Sequence, residues 1–341
     1  MSNTNRVFII AEAGVNHNGD LSLARRLVDA AADAGADAVK FQTFKAANLA
    51  SRQAKRAEYQ KENLGGGEED QLSMLRKLEM DEDTHIELIA HCRTRGIEFI
   101  STPFDHESIT LLERLGIARY KIPSGEVNNL PYLRRIAGLG KPAILSTGMC
   151  DLADVRAAVD ALIAAGQDPR GLTLLHCNSG YPTPDADVNL RAMATLAAAF
   201  PQLAGVGYSD HTIGLEASLA ATALGAVVIE KHFTLDRDLP GPDHKISLLP
   251  AELTALVSGI RRIETMLGSP EKQPTASEIP NIAIARKSIV AARPIAAGEL
   301  FTEKNLAAKR PGTGLSPMLW DQIIGRPAPR AFEPDELIEV Q

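Results

Sequence analysis

Short apolar runs alternate with amphipathic segments at a steady pace along most of the chain. Each run contains Val, Ile, Leu or Ala and is too short for a helix of its own, so we interpret the runs as strands. The predicted strands cover 7–11, 38–41, 98–101, 119–122, 143–146, 172–176, 206–209 and 227–230. Periodic segments that predict helices cover 21–34, 82–95, 106–115, 130–139, 151–165, 189–199, 215–224 and 250–267.

This rhythm predicts the α/β fold class and a (β/α)8 TIM barrel, which has about this length. The runs are continuous rather than alternating, as in parallel strands that are covered on both faces. The alternative is a doubly wound sheet, which usually carries GxGxxG after its first strand. Here the corresponding turn reads EAGVNHNG at 12–19, so the barrel is favoured.

Two stretches interrupt the rhythm. Residues 43–81 are long for a strand-to-helix connection, which indicates a lid or binding loop, or else a solvated excursion. The composition shifts to Pro and small polar residues around 268–280, which is typical of a linker. We therefore predict a barrel at 1–268, a linker at 269–285 and a small domain at 286–341.

Composition narrows the function. The formal net charge is −7, which argues against sequence-independent nucleic-acid binding but leaves room for a small anionic substrate. The cysteines Cys92, Cys150 and Cys177 form neither a CxxC pair nor an even set, so we expect reduced thiols in a cytosol. We see no signal peptide and no apolar run long enough for a membrane span, so we expect a cytoplasmic protein without a membrane partner.

Polar residues follow every predicted strand, where a barrel keeps its chemistry. Lys40 and Lys121 suit a phosphate or carboxylate, because lysine supplies a point charge and nearby hydroxyls supply directed donors. The alternative for either lysine is a surface residue whose stem lies along apolar surface. The accompanying hydroxyl groups belong to Thr102, Ser124, Ser146, Thr147 and Ser209.

Two histidines end adjacent predicted strands, His211 and His232. Neutral imidazoles there can share one divalent cation, with water or substrate filling the other positions. They can equally be a hydrogen-bonded buried pair. Glu12 and Asp243 are candidates for further ligands or outer groups, and His17 for a third histidine. The remaining histidines in helical segments, His85, His91 and His106, are expected on the surface.

Two further carboxylates are candidates for acid–base work, Glu126 and Glu230. The alternative is that each pairs with a nearby lysine, and for Glu230 that lysine is Lys231. The stiff segment LPGPDHK at 239–245 presents Asp243 for hydroxyl binding, or is a surface turn.

Ten ordered segments resemble the N-acetylneuraminate (sialic acid) synthase family of bacterial type, which includes N,N'-diacetyllegionaminate synthases. The segment 286–341 resembles that family's antifreeze-like (SAF) domain. The matching segments are AEAGVNHNG (11–19), VKFQTF (39–44), STPFD (101–105), YKIPSGE (120–126), ILSTGM (144–149), LLHCNSGYPTP (174–184), GYSDHT (207–212), EKHFTLD (230–236), LPGPDHK (239–245) and KRPGTG (309–314).

The resemblance implies a barrel fused to the SAF domain, in a homodimer whose small domain reaches over the partner's barrel. It implies condensation of phosphoenolpyruvate with the aldehyde of N-acetylmannosamine or its 2,4-diacetamido-trideoxy analogue, with release of phosphate. It also implies Mn2+, or another divalent cation such as Mg2+ or Co2+.

The same resemblance assigns residues. It makes His211 and His232 the metal ligands, likens Glu12 to the family's carboxylate near the metal-bound aldehyde, and places Glu126 in the sugar site. Glu126 and Glu230 are the candidates for moving the proton, so the predicted catalytic set is Glu12, Glu126 and Glu230. It assigns phosphoenolpyruvate to Lys40, Thr102, Lys121, Ser124, Ser146, Ser179 and Ser209, although some members carry Asn at the position of Ser179. It assigns the sugar to Gln42, Asn63, Phe104, Tyr181 and Asp243, with Arg310 supplied across the dimer.

Other functions stay open from the sequence. A Schiff-base aldolase would use Lys40 or Lys121 as nucleophile without metal. A synthase for a phosphorylated sugar would need a further basic cluster, and a pseudaminate synthase would share the same chemistry. A sugar-binding sensor without catalysis is the alternative from a different class.

Overall fold

A computed structural model describes residues 6–49 and 71–340, and the chain divides into two compact units, Met1–Gly268 and Ser269–Gln341. The first unit contains eight parallel strands, all close to the predicted runs. They are β1 Phe8–Gly14, β2 Ala38–Thr43, β3 Glu98–Pro103, β4 Tyr120–Ile122, β5 Ala143–Ser146, β6 Leu172–Cys177, β7 Gly205–Asp210 and β8 Val228–His232.

The strands are hydrogen-bonded in the order β3-β2-β1-β8-β7-β6-β5-β4, and the end strands β3 and β4 lie next to each other. The sheet therefore closes on itself, and the predicted (β/α)8 barrel is confirmed. The pairing of β1 with β8 joins residues that are more than 200 positions apart, such as Glu12 and His232. Because this pairing brings the first and last strands of the barrel together, it determines which strand ends face each other.

Helices alternate with the strands, and several begin at a polar cap. Asp20, Asp105 and Asp151 each accept backbone N–H bonds from the first turn of the helix that follows, which satisfies donors that the helix leaves open. The helices are α1 Leu21–Asp33, α2 Ala46–Leu49, α3 Gln71–Arg76, α4 Glu82–Arg95, α5 His106–Arg114, α6 Leu130–Ala137, α7 Leu152–Ala164, α8 Ala192–Ala199, α9 Glu216–Ala223 and α10 Pro250–Leu267.

The barrel interior is built in layers, because side chains along a strand alternate between its two faces. One inward set is apolar and fully or almost fully buried: Ile10, Ala38, Ile100, Ile144, Leu175 and Val228. Two positions further along the same strands the inward residues become polar: Glu12, Lys40, Thr102, Ser146, Cys177 and Glu230. We call these sets the apolar layer and the polar layer, and we count Lys121 of β4, which is buried at the same cavity, with the polar layer. Outward-facing residues such as Ile9, Phe41 and Tyr208 pack against the helices in a separate, larger core.

The excursion between β2 and α4 is partly helical. Short helices α2 and α3 pack Leu72, Met74 and Leu75 against Val15 and Phe44, so the described part of this connection covers apolar surface beside β1 and β2. Residues 50–70 lie outside the described residues, and so does the predicted sugar ligand Asn63.

The second unit has a small core of its own, centred on Ile289, Phe301 and Phe332. Its strands β9 Ser288–Ala291 and β10 Leu306–Lys309 are antiparallel, and α12 Trp320–Ile323 packs beside them. The stretch predicted as a linker contains helix α11 Ile279–Ala285, with a proline in its first turn, where the missing N–H costs nothing. None of the helices in the described ranges has the length and apolar character needed to cross a membrane.

Candidate active site

A cavity of about 250 Å³ opens at the carboxyl ends of the barrel strands, directly above the apolar layer. Each of the eight strands, or the turn that follows it, contributes to its wall, as predicted for this fold. Its lining residues are Glu12, Lys40, Gln42, Thr102, Phe104, Lys121, Pro123, Ser124, Gly125, Ser146, Met149, Cys177, Ser179, Tyr181, Ser209, His211, Glu230 and His232.

Two lysines converge on one carboxylate at the floor of this cavity. Lys40 Nζ and Lys121 Nζ each lie 3.5 Å from Glu230 Oε1, and Lys40 Nζ lies 3.2 Å from Glu12 Oε2. Only 4% of Lys40 and 3% of Lys121 is exposed, so the surface alternative for these lysines is wrong. Lys40 Nζ already meets three acceptors, whereas Lys121 Nζ meets two, so Lys121 keeps donor capacity for an anion.

Hydroxyl groups form hydrogen bonds with the two lysines and with the carboxylate between them. Lys40 Nζ donates to Thr102 Oγ1 at 3.1 Å, and Lys121 Nζ donates to Ser146 Oγ at 2.7 Å. Ser209 Oγ donates to Glu230 Oε1 at 3.0 Å. The two predicted lysines and three of the predicted hydroxyls are therefore brought together around one carboxylate.

The pKa values of the two buried glutamates are shifted in opposite directions. Burial raises the pKa of Glu12 to about 7, although Lys40 opposes the shift. Burial also disfavours the ionised form of Glu230, but Lys121 and Lys40 outweigh it and lower that pKa to about 2. Carboxyl groups whose environments separate their pKa values in this way are suited to different roles in acid–base chemistry.

The lysines respond to the same environment. Burial alone lowers the pKa of Lys40, but Glu12 and Glu230 outweigh it, and the pKa ends above its ordinary value. Burial lowers the pKa of Lys121 more than Glu230 raises it. Lys121 is thus the cation that most lacks a counter-charge, and a bound anion supplies one.

His211 and His232 lie side by side in the cavity wall, with ring centroids 5.5 Å apart. Tyr181 stacks on His211 at 4.1 Å and meets His232 edge-on at 6.0 Å. His211 Nδ1 donates to the carbonyl oxygen of Asn178 at 2.6 Å, so its Nε2 carries the lone pair. Burial lowers the pKa of His211 to about 4 and that of His232 well below its usual range, so both imidazoles are neutral.

These features fit a divalent cation. Nδ1 of His232 is buried without a hydrogen-bond partner. A Cβ placed on Gly14, whose φ is +52°, would lie 3.3 Å from Glu12 Oε1 and 3.5 Å from the His232 ring, so this glycine keeps open the space between them. Within 6–49 and 71–340 no set of three or more His, Cys, Asp or Glu is arranged to hold a metal. Two neutral imidazoles would therefore leave positions for water or substrate.

Other predicted residues line the cavity at fixed distances. Gln42 Nε2 donates to Glu12 Oε1 at 3.4 Å, and Ser124 Oγ accepts from the Gly148 amide at 2.9 Å. A Cβ on Gly148 would lie 2.4 Å from Ser179 Oγ, so the absence of a side chain there lets both serines approach the same backbone. Backbone amides and hydroxyls gathered in this way suit an oxyanion.

Several predicted residues do not line this cavity. Glu126 is half-buried in the turn Ser124–Glu126 and accepts from Asn129 Nδ2 at 2.6 Å. Asp243 is buried, and burial raises its pKa to about 6. Nδ1 of the buried His17 accepts from the Gly19 amide. Arg310, in the second unit, is exposed and its Nε donates to the Ala285 carbonyl at 3.1 Å.

One expectation and one alternative about polar residues are wrong. His85 is fully buried rather than on the surface, with Nε2 2.8 Å from Thr43 Oγ1 and Nδ1 2.7 Å from the Asp81 carbonyl. Glu230 does not pair with Lys231, because adjacent residues of a strand point to opposite faces.

Cys177 is a cavity residue that the sequence reasoning treated only as a thiol. Its Sγ lies 3.8 Å from His211 Nδ1, and burial raises its pKa, which keeps the thiol protonated. Cys177 follows the inward Leu175 by two positions, so the period of a strand would have indicated its place. Met149, in the turn after β5, had no comparable signal.

A closed parallel barrel whose mouth holds buried lysines, neutral histidines and carboxylates with pKa values shifted in opposite directions is typical of a TIM-barrel enzyme. The chain belongs to the NeuB family, whose model matches residues 27–272, and a SAF domain model matches residues 286–339. The predicted family, fold class and enzyme class are confirmed.

Several proteins of known name are similar to this chain over most of its length. The chain is 52% identical to the N,N'-diacetyllegionaminic acid synthase of Campylobacter jejuni, over 98% of this chain and 99% of that protein. It is 51% identical to the N,N'-diacetyllegionaminic acid synthase of Legionella pneumophila, over 93% and 89%. The crystal structure of the N-acetylneuraminic acid synthetase of Leptospira borgpetersenii superposes with a TM-score of 0.71 at 37% identity, covering 82% of this chain and 91% of that one.

Proposed function

We propose that this protein condenses phosphoenolpyruvate with the open-chain aldehyde of 2,4-diacetamido-2,4,6-trideoxymannose, giving N,N'-diacetyllegionaminic acid and phosphate. The observation that carries the reaction class is the convergence of Lys40 and Lys121 beside two neutral histidines in one cavity. The names of the relatives above 50% identity favour the diacetamido sugar over N-acetylmannosamine.

The lysine side of the cavity suits phosphoenolpyruvate, which carries a phosphate and a carboxylate. Lys121 lacks a full counter-charge, and Lys40 is shared between two carboxylates. The hydroxyls of Ser124 and Ser179 and the Gly148 amide lie together and supply directed donors. Anion binding here restores the charge balance that burial of two ammonium groups disturbs.

His211 and His232 are the residues that would hold a divalent cation, with Mn2+ as our first choice. Bound there, the cation would act as a Lewis acid on a carbonyl oxygen and so favour attack on the aldehyde carbon. Tyr181 fixes the plane of the His211 ring by stacking, and the Asn178 carbonyl fixes its tautomer.

The proposed bond changes balance as follows. C3 of phosphoenolpyruvate bonds to the aldehyde carbon, and C2 becomes electron-deficient. Water adds to C2, and phosphate leaves with its bridging oxygen to give the ketoacid. Glu230, ionised between two lysines, lies where it stabilises positive charge, whereas Glu12 is placed to give a proton to the new hydroxyl or take one from water.

Two parts of the proposal rest on the family resemblance alone, namely a homodimer and contributions of Arg310 and Asn63 to sugar binding. A cytoplasmic location is proposed from the cysteine pattern of the sequence. Asp243, which is buried on the stiff loop after β8, is proposed as a partner of a sugar hydroxyl.

The test is phosphate release from phosphoenolpyruvate with Mn2+, offering the diacetamido sugar and N-acetylmannosamine in parallel. We expect release that EDTA abolishes and Mn2+ restores, with the larger kcat/KM for the diacetamido sugar. A larger value for N-acetylmannosamine would reassign the substrate, and no release with either would contradict the reaction class.

Isotopically labelled water tests the bond that breaks. Cleavage between carbon and oxygen puts the label in the ketoacid product. Label in the released phosphate would instead mean attack at phosphorus, and the proposed sequence would be wrong.

A further inference from the structure

A second ion pair lies buried on the outer face of the barrel, and the proposed chemistry does not use it. Lys231 Nζ lies 2.9 Å from Asp210 Oδ2, and each residue is only 1% exposed. Asp210 and Lys231 are opposite each other in the pairing of β7 with β8. Their neighbours Ser209 and Glu230 line the cavity, so the ion pair faces away from it.

The ion pair belongs to a compact network that ties three segments together. Asp210 Oδ1 accepts from the Thr212 amide at 2.9 Å and from the Thr212 hydroxyl at 2.8 Å. Asp210 Oδ2 accepts from Ser218 Oγ on α9 at 2.6 Å, and Lys231 Nζ donates to the Thr212 carbonyl at 2.6 Å. The turn after β7 is thereby fastened to β8 and to the helix behind it.

The position of the network along the chain relates it to the cavity. Asp210 immediately precedes His211, and Lys231 immediately precedes His232. Thr212 follows His211, so the backbone of that histidine is held on both sides by the network. A shift of the turn relative to β8 would change the separation of the two imidazoles, which stands at 5.5 Å between ring centroids.

We propose that Asp210 and Lys231 are positioning residues that hold His211 and His232 at the separation required to share one divalent cation. The inference rests on the proposed metal-dependent function. A buried ion pair is a poor source of stability, since desolvation offsets most of its attraction. Its position, one residue before each histidine, is explained by a positioning role and not by stability.

The experiment measures Mn2+ binding to the metal-free full-length protein by the electron paramagnetic resonance signal of the free ion. The variants are D210N, K231M and the double variant D210N/K231M, which leaves no unpaired buried charge. The matched control is D37N. Asp37 accepts from Arg261 Nη2 at 2.6 Å and from the Ile9 amide at 2.9 Å, but it lies at the amino end of β2.

We expect Mn2+ affinity to fall about tenfold or more in each Asp210 or Lys231 variant, the scale typical of lost outer-shell support. Activity should return when Mn2+ is raised, with the KM for phosphoenolpyruvate changed less than about threefold. D37N should lower the melting temperature without changing Mn2+ affinity.

Unchanged Mn2+ affinity in the folded variants would overturn the positioning role and leave the proposed function intact. If the single variants do not fold, the double variant decides the question, because it removes both charges together. Wild-type protein that binds no Mn2+ would overturn the metal-dependent function itself, and the positioning role with it.

Discussion

The apolar and polar layers inside the barrel lie on the same strands, two residues apart, and are buried to almost the same degree. Ile10 precedes Glu12, Ile144 precedes Ser146, and Val228 precedes Glu230. Apolar side chains gain stability simply by leaving water, at about 25 cal/mol per Å². The charges of the polar layer lose the stabilisation that water gives them and depend on ion pairs and hydrogen bonds with one another instead.

The difference shows that the degree of burial alone does not indicate whether a layer stabilises the fold or binds substrate. In the apolar layer each side chain is interchangeable with another of similar volume. In the polar layer the pKa of Lys121 is lowered and that of Glu12 is raised, so the charges of this layer are not fully stabilised by their neighbours. We interpret the apolar layer as the one that stabilises the barrel and the polar layer as the one that binds substrate, at some cost in stability.

The largest expected effect is that of Lys121→Met. Removing this cation should lower kcat/KM for phosphoenolpyruvate by about 100- to 1,000-fold, the scale of a lost electrostatic donor. The free energy of unfolding should stay within about 1 kcal/mol of the wild-type value or rise. Burial already disfavours the charged form of Lys121, and Glu230 retains Lys40 as an ion-pair partner. Phosphate-release kinetics and urea denaturation measure the two quantities.

Lys141→Met is the control for that substitution. Lys141 Nζ donates to the Ile117 carbonyl at 2.6 Å, in the loop that enters β5 from its amino end. Its loss should leave kcat/KM within about twofold of wild type. A Lys121→Met variant that unfolds as readily as a core truncation would mean that the polar layer is structural after all.

Leu175→Ala should give the opposite pattern. The fully buried Leu175 lies in the apolar layer, so its truncation should cost about 3 kcal/mol of unfolding free energy through lost transfer energy and a residual cavity. The variant should keep kcat/KM within about threefold at temperatures where it is folded. A large loss of activity in the folded variant would show that the two layers are coupled.

Ser146→Ala tests a single hydrogen bond of the polar layer. Lys121 Nζ would lose the acceptor that lies 2.7 Å away, and kcat/KM should fall about tenfold, in line with a hydrogen bond to a charged group. Thr147→Ala is the matched control, because the Thr147 hydroxyl donates to the Leu175 carbonyl and does not line the cavity. Equal loss of activity in both variants would remove the special role of Ser146.

The smallest expected effect is that of Ile100→Val. One methylene lost from the apolar layer should cost about 1 kcal/mol of unfolding free energy and leave kcat/KM unchanged. Thermal denaturation and the phosphate assay together check it. A measurable change in KM for phosphoenolpyruvate would place the boundary between the layers lower in the barrel than we draw it.

Local patterns along the chain determined much of this protein. Apolar runs predicted all eight strands, because burial on both faces leaves a continuous signature in each one. Polar residues after those runs predicted most of the cavity wall, since parallel strands in a barrel end on one face. The two-residue period of a strand also determines which residues share a face. Cys177 obeys this period, although it was not assigned to the cavity from the sequence.

Only the tertiary structure decided which charges meet. Glu230 lies beside Lys231 in sequence, yet it faces Lys40 and Lys121, while Lys231 turns outward to Asp210. Nothing local specifies these partners, because they depend on how the barrel closes between β1 and β8 and on the stagger of its strands. His85 is buried for a similar reason, since Thr43 at the end of β2 supplies a hydroxyl that lies 2.8 Å from His85 Nε2. The sequence by itself determined the elements and their facing residues, and the closure of the sheet determined the protonation and pairing on which the proposed chemistry depends.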